Sequence, residues 1–300
     1  MKKVIDRIFF LKKQHNAVVL AHNYQLPEVQ DIADFVGDSF ALSKKAKESK
    51  ADVIVFCGVH FMAESAKILS PKKTVLLPAR DAGCPMAEMV TVHDIEQLRE
   101  AHPDAAVVCY VNSSAAVKAA SDICCTSSNA VRVVRSLPNK RIIFIPDENL
   151  GSYIAKQVPE KEIILFNGFC TTHKRVTVEE VDTARNAVPN AKILVHPECT
   201  PQVVEKADYV GSTAQIIDYA NRSTDEKFII GTEQGVLHWL QAKNQNKKFY
   251  LLSQKLICPN MKKTTLKDVL NALENMTYEI QISEQEIEKA YGALDRMLNV

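Results

Sequence analysis

Ala17-Val18-Val19-Leu20-Ala21-His22 is a short apolar run that closes on a polar ring, and the chain repeats this arrangement twice. Ala106-Val107-Val108-Cys109 runs into Tyr110, and Lys192-Ile193-Leu194-Val195 runs into His196. A short aliphatic, β-branched run followed by an amphipathic stretch reads as a strand feeding a helix. A second run follows in each copy and ends on hydroxyls or an acid: Ala33-Asp34-Phe35-Val36-Gly37-Asp38-Ser39, Ser121-Asp122-Ile123-Cys124-Cys125-Thr126-Ser127, and Ala207-Asp208-Tyr209-Val210-Gly211-Ser212-Thr213. A third run (Val53 to Phe56, Ile142 to Ile145, Phe228 to Ile230) and a fourth (Thr74 to Leu77, Ile163 to Phe166, Phe249 to Leu252) complete the layout.

Strands that alternate with helical stretches build parallel sheets from βαβ units. The sequence therefore predicts an α/β protein: three pseudo-symmetric three-layer α/β/α domains with small parallel sheets around a central active site. Pro103-Asp104 and Pro189-Asn190 are turn signals that divide the copies. The expected domains are residues 1–103, 104–189 and 190–271, with C-terminal helices in 272–300 packing on the first. A leading helix (Lys3 to Gln14) and a trailing one (Ser283 to Met297) are expected to pair beside that first repeat. Asp38 or Ser39, Ser127 or Ser128, and Ser212 or Thr213 are the expected N-caps.

Each copy ends in a cysteine: Cys84 in Gly83-Cys84-Pro85, Cys170 in Gly168-Phe169-Cys170, and Cys258 in Ile257-Cys258-Pro259. The intervals are 86 and 88 residues. Copies facing a common axis bring three thiols to the carboxyl ends of the strands, the edge where open α/β sheets bind ligands. Soft thiolates select iron–sulfur clusters, zinc or copper(I). Four cysteines ligate a cubane cluster fully; three leave one iron open to act as a Lewis acid on a substrate oxygen.

The rings at the strand ends supply titratable groups: His22, Tyr24, Tyr110 and His196, with Asn112 and Glu198 two residues beyond the last two. Residues two apart on an extended segment face the same side, so His196 and Glu198 are expected to share a cavity as acid and base. His173, three residues past Cys170, either lines that cavity or is solvated. Ser39, Ser127, Ser212 and Thr213 stand at helix starts, where free N–H groups and the helix dipole favour phosphate or carboxylate.

Composition narrows the partners. With 300 residues, 46% of them hydrophobic, the chain can bury a large core. Its 37 Lys and Arg nearly cancel 36 Asp and Glu, which argues against nucleic acid and against an acidic membrane surface. No apolar stretch reaches the roughly 18 residues of a spanning helix, and the amino terminus is charged, so a cytoplasmic protein is expected. Eight cysteines without a C-x-x-C pair read there as thiols or ligands rather than disulfides. Cys57, Cys109, Cys124 and Cys125 read as core residues, and Cys199 lies near enough to the expected site for a minor role.

Further motifs carry a family resemblance. Ala21-His22-Asn23-Tyr24-Gln25, Asp31-Ile32-Ala33-Asp34, Gly37-Asp38-Ser39, Gly83-Cys84-Pro85-Met86-Ala87, Tyr110-Val111-Asn112-Ser113, Cys125-Thr126-Ser127-Ser128-Asn129-Ala130, His196-Pro197-Glu198-Cys199, Gly211-Ser212-Thr213, Gly231-Thr232-Glu233 and Cys258-Pro259-Asn260-Met261-Lys262 resemble, in order, those of the quinolinate synthase (quinolinate synthetase A) family. The likeness runs from about residue 17 to about 275. It implies one [4Fe-4S] cluster per chain, held by Cys84, Cys170 and Cys258. It also implies a transferase-type reaction of NAD biosynthesis, in which iminoaspartate and dihydroxyacetone phosphate condense, lose phosphate and two waters, and close to quinolinate. Carried onto matching positions, His22, Tyr24, Ser39, Tyr110, Asn112, Ser127, His173, His196, Glu198, Ser212 and Thr213 line the cavity. Glu198 and His196 are then the acid and base, with Tyr24 and Tyr110 as donors or relays. An L-aspartate oxidase or dehydrogenase is implied upstream. Some members carry a C-x-x-C-x-x-C run at the last ligand; here Pro259, Asn260 and Met261 follow Cys258, so no redox switch is expected there.

Other classes use the same cysteines differently. An iron–sulfur electron-transfer or sensor protein needs a fourth ligand, for which His173 and Cys199 are the candidates. A zinc hydrolase uses the three thiolates for zinc, and a structural repeat needs none of them.

Overall fold

The computed structural model describes residues 1–300. In the first round, α1 (Lys2–Gln14) leads to β1 (Ala17–His22), α2 (Pro27–Asp31), β2 (Phe35–Gly37), α3 (Ser39–Glu48), β3 (Val53–Cys57), α4 (His60–Leu69) and β4 (Thr74–Leu76). The second comprises α5 (Val92–Ala101), β5 (Ala106–Tyr110), α6 (Ala115–Ala119), β6 (Ile123–Cys125), α7 (Ala130–Ser136), β7 (Arg141–Ile145), α8 (Glu148–Gln157) and β8 (Glu162–Leu165). The third comprises α9 (Val178–Ala187), β9 (Lys192–Val195), α10 (Pro201–Glu205), β10 (Tyr209–Val210), α11 (Thr213–Arg222), β11 (Lys227–Gly231), α12 (Val236–Lys243) and β12 (Lys248–Leu251). Two helices close the chain, α13 (Leu266–Asn275) and α14 (Glu284–Asn299).

The expected three small parallel sheets are present, ordered β2-β1-β3-β4, β6-β5-β7-β8 and β10-β9-β11-β12. Helices cover both faces of a parallel sheet, so its inner strands need no polar alternation. Val53 to Cys57 and Ala106 to Tyr110 are accordingly buried along their whole length. The chain order reverses between the first and third strand of each sheet, and the carboxyl end of that switch point is where a ligand crevice forms.

One device fixes the second run to the first strand three times. Asp34, Asp122 and Asp208 each accept the strand N–H of Val19, Val107 and Ile193 at 2.7, 2.7 and 2.8 Å. Each aspartate N–H donates back to the carbonyl of that same strand residue. A cation from the preceding helix then pairs with each carboxylate: Lys12, Arg99 and Arg185. The same cations donate to Ile32 O, Ala120 O and Lys206 O.

These contacts tie α5 and α9 forward, to the sheets that follow them. The divisions expected at 103 and 189 pass between each helix and the sheet on which it lies. Residue 271 falls inside α13, whose Leu266, Val269, Ala272 and Leu273 share a core with Ile8, Leu11 and the outer face of the first sheet. The pairing expected between the leading and trailing helices is therefore replaced: α1 packs on α13. The final helix α14 lies instead against α4, α6 and β6, and buries Ala290, Ala293, Leu294 and Met297 in the core shared by the first two sheets. Its small residues let it approach closely, while the apolar stripe of α13 matches that of α1.

Of the expected N-caps, Asp38 and Ser212 accept from Ala41 N–H and Gln215 N–H. Helix α7 starts later than expected, at Ala130, because Asn129 Oδ1 takes the Thr126 N–H and holds Ser127 and Ser128 in a preceding turn.

Candidate active site

The three switch points open on one cavity. Its wall carries Cys84, Cys170 and Cys258 together with His22, Tyr24, Ser39, Tyr110, Asn112, Ser127, His173, His196, Glu198 and Thr213. Glycine permits two close approaches here. A Cβ on Gly168 would lie 2.4 Å from Pro146 O, and one on Gly235 would lie 2.7 Å from the Tyr24 Cα. Ser212 is the one expected residue that does not reach the cavity; its Oγ caps Gln215 N–H and lies 2.9 Å from Ser128 Oγ. Ser128 donates in turn to Asp38 Oδ2 at 2.5 Å, which links the helix starts of all three copies.

Glu198 is the buried carboxylate beside His173 and His196 in the cavity. Burial by itself would raise its pKa, but His196 and His173 outweigh that, helped by the close His173 contact, and hold it at about 2. An ionised carboxylate only accepts, so the 2.8 Å contact between His173 Nδ1 and Glu198 Oε2 places the proton on Nδ1. His173 Nε2, 3.0 Å from Thr232 Oγ1, then accepts from that hydroxyl. Thr232 in turn accepts from Tyr24, and Tyr24 from Thr213, both at 2.6 Å. Every member of the chain is satisfied in this one direction.

His196 and His22 share a second arrangement. The N–H two residues on, of Glu198 and Tyr24, donates to each ring's Nδ1 at 3.3 and 3.2 Å. That leaves Nε2 of His196 to donate to Ser127 Oγ at 3.1 Å. The 3.4 Å approach of His196 Nδ1 to Glu198 Oε2 is thus a contact between two acceptors. Burial, aided by Lys262, lowers the pKa of His22 to about 3; burial, opposed by Glu198, lowers that of His196 to about 4. Burial and then Glu198 raise Tyr24 and Tyr110 well above the ordinary phenol. At neutral pH the cavity therefore holds ionised Glu198, neutral His22 and His196 rings, and two intact phenols. Glu198 Oε1 and Asn112 Oδ1 are buried there without a partner.

A sequence model of the family described as Quinolinate synthetase A protein matches residues 6–299. The chain belongs to the quinolinate synthetase A family. It is 59% identical over 300 residues to the quinolinate synthase of Caldicellulosiruptor saccharolyticus, covering 100% of this chain and 99% of that protein. It is 61% identical over 297 residues to that of Alkaliphilus metalliredigens, covering 99% and 98%. A protein named quinolinate synthase 2, from Methanosarcina acetivorans, is 54% identical over 297 residues, covering 99% and 96%. These relatives are named as enzymes, and so is the family.

In this quinolinate synthetase A chain the eight cysteines are all free thiols and fall into two groups. Cys57, Cys109, Cys124 and Cys125 are buried, as the sequence suggests; Cys199, expected near the site, is buried too, whereas Cys84, Cys170 and Cys258 are half-buried at the cavity. Burial pushes Cys84 up to about 12 and raises Cys170 and Cys258. Metal binding there must displace protons. Three thiols and two unpartnered acceptors lining the same cavity fit a thiolate-bound cluster that leaves room for a polar ligand. Cys170, His173 and Glu198 also offer atoms within 4.8 Å of one another. Two of that trio already satisfy each other, which makes it a hydrogen-bonded network.

Thr232 and Glu233 are functional neighbours that the reading of strand ends passed over. Both are fully buried, and Glu233 lines the cavity. Their signal was available: they follow Gly231, the carboxyl end of a third strand, where the sheet's switch point lies.

Proposed function

We propose that this quinolinate synthetase A family member condenses iminoaspartate with dihydroxyacetone phosphate to quinolinate, using a [4Fe-4S] cluster held by Cys84, Cys170 and Cys258. The observation that carries this reading is the placement of three half-buried thiols around the cavity that holds ionised Glu198 and its unpartnered Oε1. When bound, such a cluster supplies a Lewis-acidic iron with an open position.

The chain's own groups supply the rest. Glu198 Oε1 takes a proton from a substrate carbon, and the His173, Thr232 and Tyr24 chain behind Oε2 delivers or removes one without exposing the cavity. His196 Nε2–H, through Ser127, donates toward a leaving oxygen. Ser39, Ser127 and Thr213 sit at or just before the starts of α3, α7 and α11, where a phosphate or carboxylate meets free N–H groups. Asn112 Oδ1 offers an acceptor for an imine or hydroxyl hydrogen. Enclosure excludes water from the hydrolysable imine and holds the two substrates in reacting geometry.

An L-aspartate oxidase or dehydrogenase fits as the upstream supplier of that imine. No helix is long and apolar enough to cross a membrane, and we place the enzyme in the cytoplasm. For an electron-transfer or sensor role a fourth protein ligand is required. His173 has both ring nitrogens engaged, and Cys199 is buried toward Gly231 O. The test is to mix anaerobic protein with dihydroxyacetone phosphate and freshly generated iminoaspartate. Quinolinate is the expected product; none from protein with intact cluster overturns the assignment.

A further inference from the structure

The three cysteine segments are held by one backbone bond made three times. His60 N–H donates to Ala82 O at 2.8 Å, Glu148 N–H to Gly168 O at 2.8 Å, and Gln234 N–H to Leu256 O at 2.9 Å. Each acceptor lies two residues before its cysteine, and each donor follows a third strand.

A second bond is made only twice. The residue before each donor is Asp147 in the second copy, Glu233 in the third and Val59 in the first. Asp147 Oδ2 accepts the Cys170 N–H at 3.0 Å while its Oδ1 accepts that of Leu150 at 2.7 Å. Glu233 Oε1 accepts the Cys258 N–H at 3.1 Å while its Oε2 accepts that of Gly235 at 2.8 Å, and Lys262 pairs with it at 2.9 Å. Both carboxylates are fully buried. Val59 is buried too and offers no acceptor, and the Cys84 N–H has none.

We propose that Asp147 and Glu233 are positioning residues that lock the backbones of Cys170 and Cys258 for the cluster, and that Cys84 is left as the compliant ligand. A carboxylate buried away from water must keep its donors, so acid and cysteine segment fix one another. Each acid takes two backbone N–H groups with its two oxygens, so the second and third cysteine segments have a hold, beyond the shared backbone bond, that the first lacks. On its outer side the Cys84 segment borders a second cavity, lined by His60, Phe61, Glu64, Arg80 and Glu88, into which it has room to move. The cysteine segments also connect one sheet to the helix of the next, and we place the domain divisions there. The two acids then fasten the second and third connecting segments to the sheets they leave.

The ligand role rests on the cluster reading above, so the experiment separates the two. In the metal-free wild-type chain, amide hydrogen exchange is expected to be fastest at Cys84 and slower at Cys170 and Cys258; this needs no substitution and no metal. Equal exchange at all three overturns the proposal. Asp147→Ser keeps a hydroxyl to cap Leu150 yet cannot reach Cys170, and Glu233→Gln sets an amide against a backbone donor. With the cluster assembled anaerobically, both variants are expected to lose iron to a chelator about tenfold faster than wild type or more, the size of one buried backbone donor left unpaired. Asp147→Ser is also expected to raise exchange at Cys170. Wild-type iron loss and exchange in both variants overturns the proposal. A wild-type chain that takes up no iron and sulfide overturns the cluster reading, and with it the ligand role.

Discussion

His173 Nδ1 lies 2.8 Å from Glu198 Oε2, and neither side chain is more than 5% exposed. Because the carboxylate can only accept, this single contact sets the tautomer of His173 and the direction of the hydroxyl chain behind it. It also leaves Oε1, which has no partner, as the free oxygen of Glu198.

Glu198→Gln is expected to keep iron and sulfide at wild-type levels while turnover falls by about 10²- to 10⁴-fold, the usual worth of a positioned acid or base. An amide cannot take the proton, and its NH₂ group would oppose the His173 donor. Quinolinate formation and metal analysis on the same preparation check this. A wild-type rate removes Glu198 from the role of base.

Thr232→Val cuts the chain between His173 and Tyr24 and takes from His173 Nε2 and from the Tyr24 hydroxyl the buried partner that Thr232 supplies to each. The expected loss is about 1–3 kcal/mol in the metal-free protein, together with a drop in turnover. Thr232→Ser restores both, since it returns the hydroxyl. Denaturant titration and steady-state rates on the two variants decide it; equal behaviour of Val and Ser shows that the hydroxyl carries nothing.

Much of this layout is legible before folding because a strand's apolar run and the polar residue at its end are local. His22, Tyr110 and His196 could be placed on one cavity from spacing alone. The partner of α1 could not, since α13 and α14 both present apolar faces and only the closing of the ring shows which one meets the first sheet. Thr232 was missed for a related reason: its role lies in a contact with Tyr24, 208 residues away. The start of α7 was misread because Asn129, rather than a serine, takes the local backbone donor.

Asp122→Ala is expected to destabilise the protein more than Arg99→Ala. The aspartate satisfies the N–H of Val107, a fully buried strand residue, at 2.7 Å. Leaving that donor unpaired costs about 1–3 kcal/mol. The Arg99 to Asp122 pair is more than a third exposed on both sides, so its loss is worth about 1 kcal/mol at most. Equilibrium unfolding of both variants checks the order; a reversed order means that the ion pair, and not the bond to the strand, holds this corner of the sheet.

The stability of the metal-free protein is expected to fall below pH 6.5 in a way that His196→Asn reduces. Folded His196 and His22 hold pKa values of about 4 and about 3, against 6.5 for the free side chain. Above pH 6.5 both states leave the rings neutral and stability is complete. As pH drops from 6.5 toward 4 the unfolded chain binds protons that the folded chain refuses, so each ring removes up to about 1.4 kcal/mol per pH unit. Glu198, at about 2 against 4.5, acts in the same sense only below pH 4.5. Asp147 and Glu233 have raised values and oppose the trend, but they do so in wild type and variant alike. The difference between the two unfolding curves therefore isolates His196, at about 3 kcal/mol between pH 6.5 and 4. Parallel curves over that window would mean that His196 is already charged when folded, and that its Nδ1 does not accept the Glu198 N–H.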